Sequence, residues 1–233
     1  MAGRWALVGA SVLVLLTGCG LVANPGAETS EQREVGESVT AVELDTSGRL
    51  VVEVGGSPGL TVTAGENVLE HLTSEVDGDT LVLGTDGSRG RFGNIRYELV
   101  VSDLTRVVVR GSGGAEADGV GTDALELDVS GSGDVDLTGL DAQTLGVGIS
   151  GSGAVRADGR AERQEIVISG SGGYDGANLA SAEADVQVSG SGEARVDVSD
   201  RLDATVSGSG DVVYTGDPQV RATTTGSGDV RAG

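Results

Sequence analysis

Seven serines sit between glycines in the C-terminal half of the chain: Ser112, Ser132, Ser152, Ser171, Ser191, Ser209 and Ser227. A serine can act as an acyl-transfer nucleophile only with a base to take its proton, and the usual frame for it is Gly-x-Ser-x-Gly on a strand-to-helix turn. Here the frame is Gly-Ser-Gly between short apolar runs, and the single histidine, His71, lies in a separate helix-like stretch. His71 therefore reads as a surface or half-packed residue, and no catalytic residue is assigned. Glu193, Asp211 and Asp229 directly follow the last three tripeptides. If the repeats stack, these carboxylates form a column at ~5 Å spacing. Like charges so placed raise one another's pKa or hold a cation such as Ca²⁺. They are the candidate cation ligands, set against the plainer reading of a solvated acidic edge that discourages strand addition. That plainer reading is adopted, so no metal and no cofactor is assigned.

The element that must position these residues is a repeat. The first glycines of the seven tripeptides are 20, 20, 19, 20, 18 and 18 residues apart, and so regular a period marks a stacked-coil architecture. Two residues before each tripeptide stand Val109, Val129, Ile149, Ile168, Val188, Val206 and Thr224; two after stand Ala115, Val135, Val155, Tyr174, Ala194, Val212 and Val230. Period-two alternation on both sides means a strand, a glycine corner and a second short strand, each with one buried face. At ~3.3 Å per residue a coil is a loop of at most ~66 Å, and successive coils lie ~4.8 Å apart as parallel strands, so seven repeats build a rod section of roughly 30 Å. The corner serines are expected to hydrogen-bond to the coil above or below.

Composition agrees. The chain of 233 residues has 41 glycines and few aromatics (Trp5, Phe92, Tyr97, Tyr174, Tyr214), so its interior must be narrow and lined by Val, Leu, Ala and Ile. The formal charge is −21, and all fifteen basic residues are arginines. Phosphate binding needs clustered positive charge, so nucleic acid is excluded as a partner.

The first residues read as an address. Arg4 precedes an apolar run from Trp5 to Leu16, too short to span a bilayer, which needs ~20 residues. Leu16-Thr17-Gly18-Cys19 follows and resembles the lipobox of bacterial lipoproteins, whose cysteine is acylated and becomes the new N-terminus. Cys19 is the only cysteine, so no intramolecular disulfide can form. The assignment is a lipoprotein signal peptide over 1–18, lipid attachment at Cys19, and a flexible tether over 19–34. Two or three acyl chains bury enough methylenes, at ~0.8 kcal/mol each, for stable anchoring.

Residues 35–104 are strand-rich without a repeat. Val39 to Leu44 leads through Asp45-Thr46-Ser47-Gly48 into Leu50 to Val54; Glu66 to Leu72 is a short helix candidate; Asp77-Gly78 before Thr80 to Leu83 signals a hairpin. This segment caps or starts the stack. With the Gly-Ser-Gly ladders, these features make residues 35–233 resemble the bacterial GIN domain, the head domain of auto-transporter adhesins. The resemblance implies a β-solenoid exported to the cell envelope, often as a lipoprotein, and brings no catalytic residues.

The expectation is thus an all-β, parallel β-helix or β-solenoid of ~20-residue coils, with its Gly-Ser-Gly repeats over 105–233 and one short helix. Its function is that of a non-catalytic envelope protein, held to the cell membrane by lipid outside the cytoplasm, with a surface-binding, adhesive or structural role. The expected partners are the membrane, through the N-terminal lipid, and an envelope or surface ligand. Ends of solenoids expose unpaired backbone, so end-to-end self-association is open too. The alternatives are a Ca²⁺-binding solenoid and a polysaccharide-acting β-helix enzyme.

Overall fold

The computed structural model describes residues 21–22 and 24–233; the stretch expected to be a signal peptide, 1–18, and Cys19 lie outside them. The non-repetitive part holds β1 (Leu21–Val22), β2 (Glu28–Arg33), β3 (Ala41–Leu44), β4 (Arg49–Val54), β5 (Gly59–Gly65), α1 (Glu66–Leu69), β6 (Leu72–Asp77), β7 (Thr80–Thr85), β8 (Arg89–Gly90) and β9 (Arg96–Val101). The repeats contribute β10 (Arg106–Gly111), β11 (Gly114–Asp118), β12 (Gly121–Gly131), β13 (Asp134–Gly151), β14 (Ala154–Gly170), β15 (Gly173–Gly190), β16 (Glu193–Gly208), β17 (Asp211–Thr215), β18 (Gln219–Gly226) and β19 (Asp229–Ala232). The protein is a β-solenoid. The longest strands run through a bend and serve two sides of a coil, with register shifts where they turn, as between Leu137 and Leu140.

Two parallel ladders meet at the glycine corner. On the side before it, the rung order is β7, β3, β10, β12, β13, β14, β15, β16, β18, and the buried column reads Leu83, Leu44, Val109, Val129, Ile149, Ile168, Val188, Val206, Thr224. On the side after it the order is β9, β4, β11, β13, β14, β15, β16, β17, β19, and the column is Tyr97, Leu50, Ala115, Val135, Val155, Tyr174, Ala194, Val212, Val230. Apart from the last rung these residues are at most 3 % exposed. Like stacks on like, and branched side chains suit the pleated surface they fill. A third side, paired from Gly121 to Val198, closes the coils. Where the period drops to 18, register shifts between Gly176 and Ala180 and between Ser181 and Glu183 together take up the missing residues.

The N-terminal segment starts the stack and closes it. The turn at Asp45 to Gly48 is a coil corner rather than a hairpin, since β3 and β4 pair with other strands and not with each other. The chain then travels outward: β7 and β9 stack outside β3 and β4, and residues 102–105 bring it back to the inner side as β10. Antiparallel strands seal the outer rungs, β6 on β7 and β5 on β9, with β2 antiparallel to β5. The Asp77-Gly78 hairpin forms as expected, with Gly78 at φ +66°. The helix is shorter than expected: α1 stops at Leu69, burying Val68 and Leu69, and Leu72 opens β6 instead.

The tether also differs from expectation. Glu28–Arg33 is a strand, and β1 pairs in parallel with β8. Backbone pairing holds β2, and Arg33 fastens it: the guanidinium donates to Leu72 O (2.9 Å), Leu69 O (3.3 Å) and Ser74 Oγ (2.7 Å). None of this needs the apolar pattern by which a strand is usually recognised.

Candidate functional site

The glycine corner is where repeated chemistry is most concentrated. Its two glycines are required for different reasons. Gly170 has φ +126°, a region closed to β-branched residues, and a Cβ on it would lie 2.6 Å from Gly151 O of the preceding coil. Gly172 has no such φ, but a Cβ there would lie 2.6 Å from Gly153 O and 2.5 Å from Ile149 Cγ2. The serine between them is exposed in every copy. Its contribution to stacking comes from the backbone rather than the hydroxyl: Ser132 N–H donates to Gly111 O (2.8 Å), Ser171 N–H to Gly151 O (2.9 Å), Ser227 N–H to Gly208 O (2.7 Å). The corner serines thus hydrogen-bond to the neighbouring coil as expected, through the backbone N–H. Ser130, Ser150, Ser169, Ser189 and Ser207, one residue before the tripeptides, are exposed too and in register. The corner therefore carries two parallel rows of hydroxyls at ~4.8 Å spacing, and no histidine stands in its ladder.

The histidine is elsewhere, in the cap. His71 Nδ1 lies 3.0 Å from Asp86 Oδ2 and 3.2 Å from Ser88 Oγ. Serine, histidine and aspartate are thus together, an association not visible in the sequence. The arrangement is nevertheless not that of a proton relay. A relay needs the carboxylate on one ring nitrogen and the nucleophile on the other, whereas here both address Nδ1, and the nearest carboxylate oxygen to Nε2 is Glu70 Oε1 at 3.9 Å. The cluster instead pins a loop: Asp86 N–H donates to His71 O (3.0 Å), and Ser88 N–H to Asp86 Oδ1 (2.9 Å). The hydrogen bond from His71, then those from Ser88, hold the Asp86 carboxyl down at about 2.

Glu193, Asp211 and Asp229 do form one column in register. Their expected mutual repulsion is overridden. Asp211 Oδ2 accepts from Arg231 at 3.0 Å and its Oδ1 from Asp229 N–H at 3.0 Å, so the arginine, then the backbone, push its pKa below the usual carboxylate value rather than above it. Glu193 is paired with Arg195 at 2.5 Å. Asp134 accepts from Ala154 N–H in the same way (3.1 Å). An aspartate after the tripeptide thus receives the N–H of the next rung. Among the described residues no group of three His, Cys, Asp or Glu is placed to hold a metal ion.

The surface offers open grooves. One of about 570 Å³ runs over the third side, with a floor of Ala142, Ala161 and Ser181 and a rim of Arg160 and Asp197. Another of about 760 Å³ lies near the cap, edged by Asp79, Asp103, Arg106, Asp123 and Glu126. Beneath the first lies a polar chain that the sequence did not announce. Tyr174 Oη donates to Gln164 Oε1 (2.6 Å), Gln164 Nε2 to Ser181 Oγ (2.8 Å), and Ser181 Oγ to Asp197 O (2.7 Å). Gln164 is fully buried in the column otherwise held by Leu125, Leu145, Ala184 and Leu202. Burial, then the Asp175 charge, push the Tyr174 phenol far above its ordinary value, so it keeps the proton it donates to Gln164.

Solved structures share this architecture. The fold is similar to that of a putative adhesin from Bacteroides fragilis NCTC 9343, with TM-score 0.84 and 23 % identity over 88 % of this chain and 97 % of that one. It is similar to a putative lipid binding protein from Parabacteroides distasonis ATCC 8503, with TM-score 0.74 and 22 % identity over 89 % and 97 %. A putative adhesin from Parabacteroides merdae ATCC 43184 follows at TM-score 0.70 and 20 % identity over 91 % and 98 %. No curated protein matches the chain. Coils, corner ladder and N-terminal cap lie largely within the stretch, residues 39–218, that matches a family pattern, and the chain belongs to that family, described as putative auto-transporter adhesin, head GIN domain.

Proposed function

We propose that this protein is an exported, lipid-anchored envelope module that binds at the cell surface through the faces of its rod and performs no catalysis. The observation that carries the reading is the surface itself: a rod whose repeated hydroxyl corner has no histidine in its ladder and whose grooves are open. Family membership among adhesin heads supports a surface setting. No described helix is long and apolar enough to cross a membrane; in this reading attachment comes from acyl chains at Cys19, and the lipobox-like Leu16-Thr17-Gly18-Cys19 supports it.

Fractionation of cells expressing the full chain tests the anchor. Cys19→Ser moves the protein from the membrane to the soluble fraction and abolishes labelling with a fatty-acid analogue; persistence in the membrane defeats the lipoprotein reading. A panel of envelope and extracellular polysaccharides, incubated with the purified chain, stays uncleaved. Reproducible product formation, lost in a groove variant such as Asp123→Asn, defeats the non-catalytic part.

A further inference from the structure

The two ends of the solenoid are unlike. The end formed by β7 and β9 is closed by antiparallel strands and α1. At the other end β18 pairs only with β16, and β19 only with β17. Their outward N–H and C=O groups meet nothing among the described residues. The core columns surface here as well: Val220 is 37 % exposed, Ala222 and Thr224 are exposed although their columns are buried one coil further in, and Ala232 is exposed over the half-buried Tyr214. A bare parallel rung is a template for another strand.

We infer that this open coil is a contact surface for a second copy of the chain, joined tail to tail about a two-fold axis. The argument is self-complementarity. A two-fold axis through the last corner lays β18 of one copy antiparallel on β19 of the other, with Ser227 opposite Ser227. In that register core meets core, since Thr224 faces Val230 and Ala222 faces Ala232. On the outer side Thr225 faces Asp229, hydroxyl donor to carboxylate, and Thr223 faces Arg231, hydroxyl acceptor to guanidinium. Shifting by one residue would set core positions against solvent-facing ones. The closed two-fold arrangement satisfies both edges at once and leaves no end for further growth. Combined with the lipid-anchor reading, on which only this geometric consequence rests, the contact faces away from the membrane, because the chain enters the fold at the capped end.

The test is thiol cross-linking of the full chain in native membranes with a short bis-maleimide. Ser227→Cys yields a homodimer and Ser112→Cys, in an interior coil, does not. Thr224→Asp in the Ser227→Cys background places a carboxylate that is solvated in the monomer but buried in the contact, and cuts the dimer at least tenfold while the circular-dichroism melt is kept. Absence of the Ser227→Cys dimer, equal cross-linking through Ser112→Cys, an adduct of another mass, or indifference to Thr224→Asp overturns the inference. The parent chain separates this from the anchor reading. An acylated Cys19 leaves it without a thiol, so cross-linking of the parent chain strikes at the anchor alone, and the contact is then judged in the Cys19→Ser background.

Discussion

Two tyrosines in the same column show how little residue type says about role. Tyr97 and Tyr174 are both buried. Tyr174 donates to Gln164, whereas the Tyr97 hydroxyl nears Thr46 without completing a hydrogen bond, Thr46 Oγ1 already accepting from Gly48 N–H. The same substitution should therefore have opposite effects. Tyr174→Phe strands Gln164 Oε1 and costs about 1–3 kcal/mol, whereas Tyr97→Phe removes an unsatisfied group and is neutral or stabilising by up to about 1 kcal/mol; urea unfolding measures both. The cap has its own acid response. Asp86 is depressed from 3.8 to about 2, so its contribution is present above pH ~4 and lost as pH falls through about 2. Carboxyl NMR should show it titrating near 2 and rising toward 3.8 in His71→Leu. The Ser–His–Asp cluster was illegible in the sequence because its members come from α1's exit and the loop after β7. The opposite holds for the corner serines, whose exposed ladder follows from spacing alone.

At the scale of the element, the corner is the unit that repeats, and its glycines carry most of the constraint. Gly170→Ala and Gly172→Ala should each destabilise by about 1–3 kcal/mol, the first through a disfavoured φ and a carbonyl contact, the second through contact alone. Gly121→Ala, with nothing within 4 Å of the added carbon, should fall within about 0.5 kcal/mol of the parent in the same melts. Alternating Val, Leu and Ile around each tripeptide made these strands readable before any coordinate. β2 was not, because six polar residues held by backbone pairing and one arginine carry no period. The rung order β7, β3, β10 was equally hidden: local pattern specifies that strands form, while their order along a stack is settled by which crossover buries the outer columns. Exposed ion pairs such as Arg156–Asp136 and Arg160–Asp141 link neighbouring coils, but each is worth only ~0–1 kcal/mol. They decorate the rod without holding it.

The whole molecule is close to one-dimensional, since each coil touches only its neighbours. Removing one coil should therefore shorten the rod without changing the kind of contact inside it. Deletion of residues 131–150 joins Ser130 to Gly151, sets Val129 on Ile168 and Ala115 on Val155, and should give a folded, cooperative protein shorter by ~4.8 Å in solution scattering. An aggregated or molten product would show that the coils are not interchangeable. The charge of −21 spreads along the same length, so side-by-side packing of rods is opposed at low salt. Within a single copy the uncovered last coil has one more consequence, a mechanical one. The hydrogen bonds between rungs run along the long axis, so tension between the two ends loads them one rung at a time rather than all together. The coil at β18 and β19 yields first, and each later one releases 18 to 20 residues, or about 60 Å of slack at ~3.3 Å per residue. Under load the rod lengthens in steps, as a spool pays out line, while the sealed end stays whole.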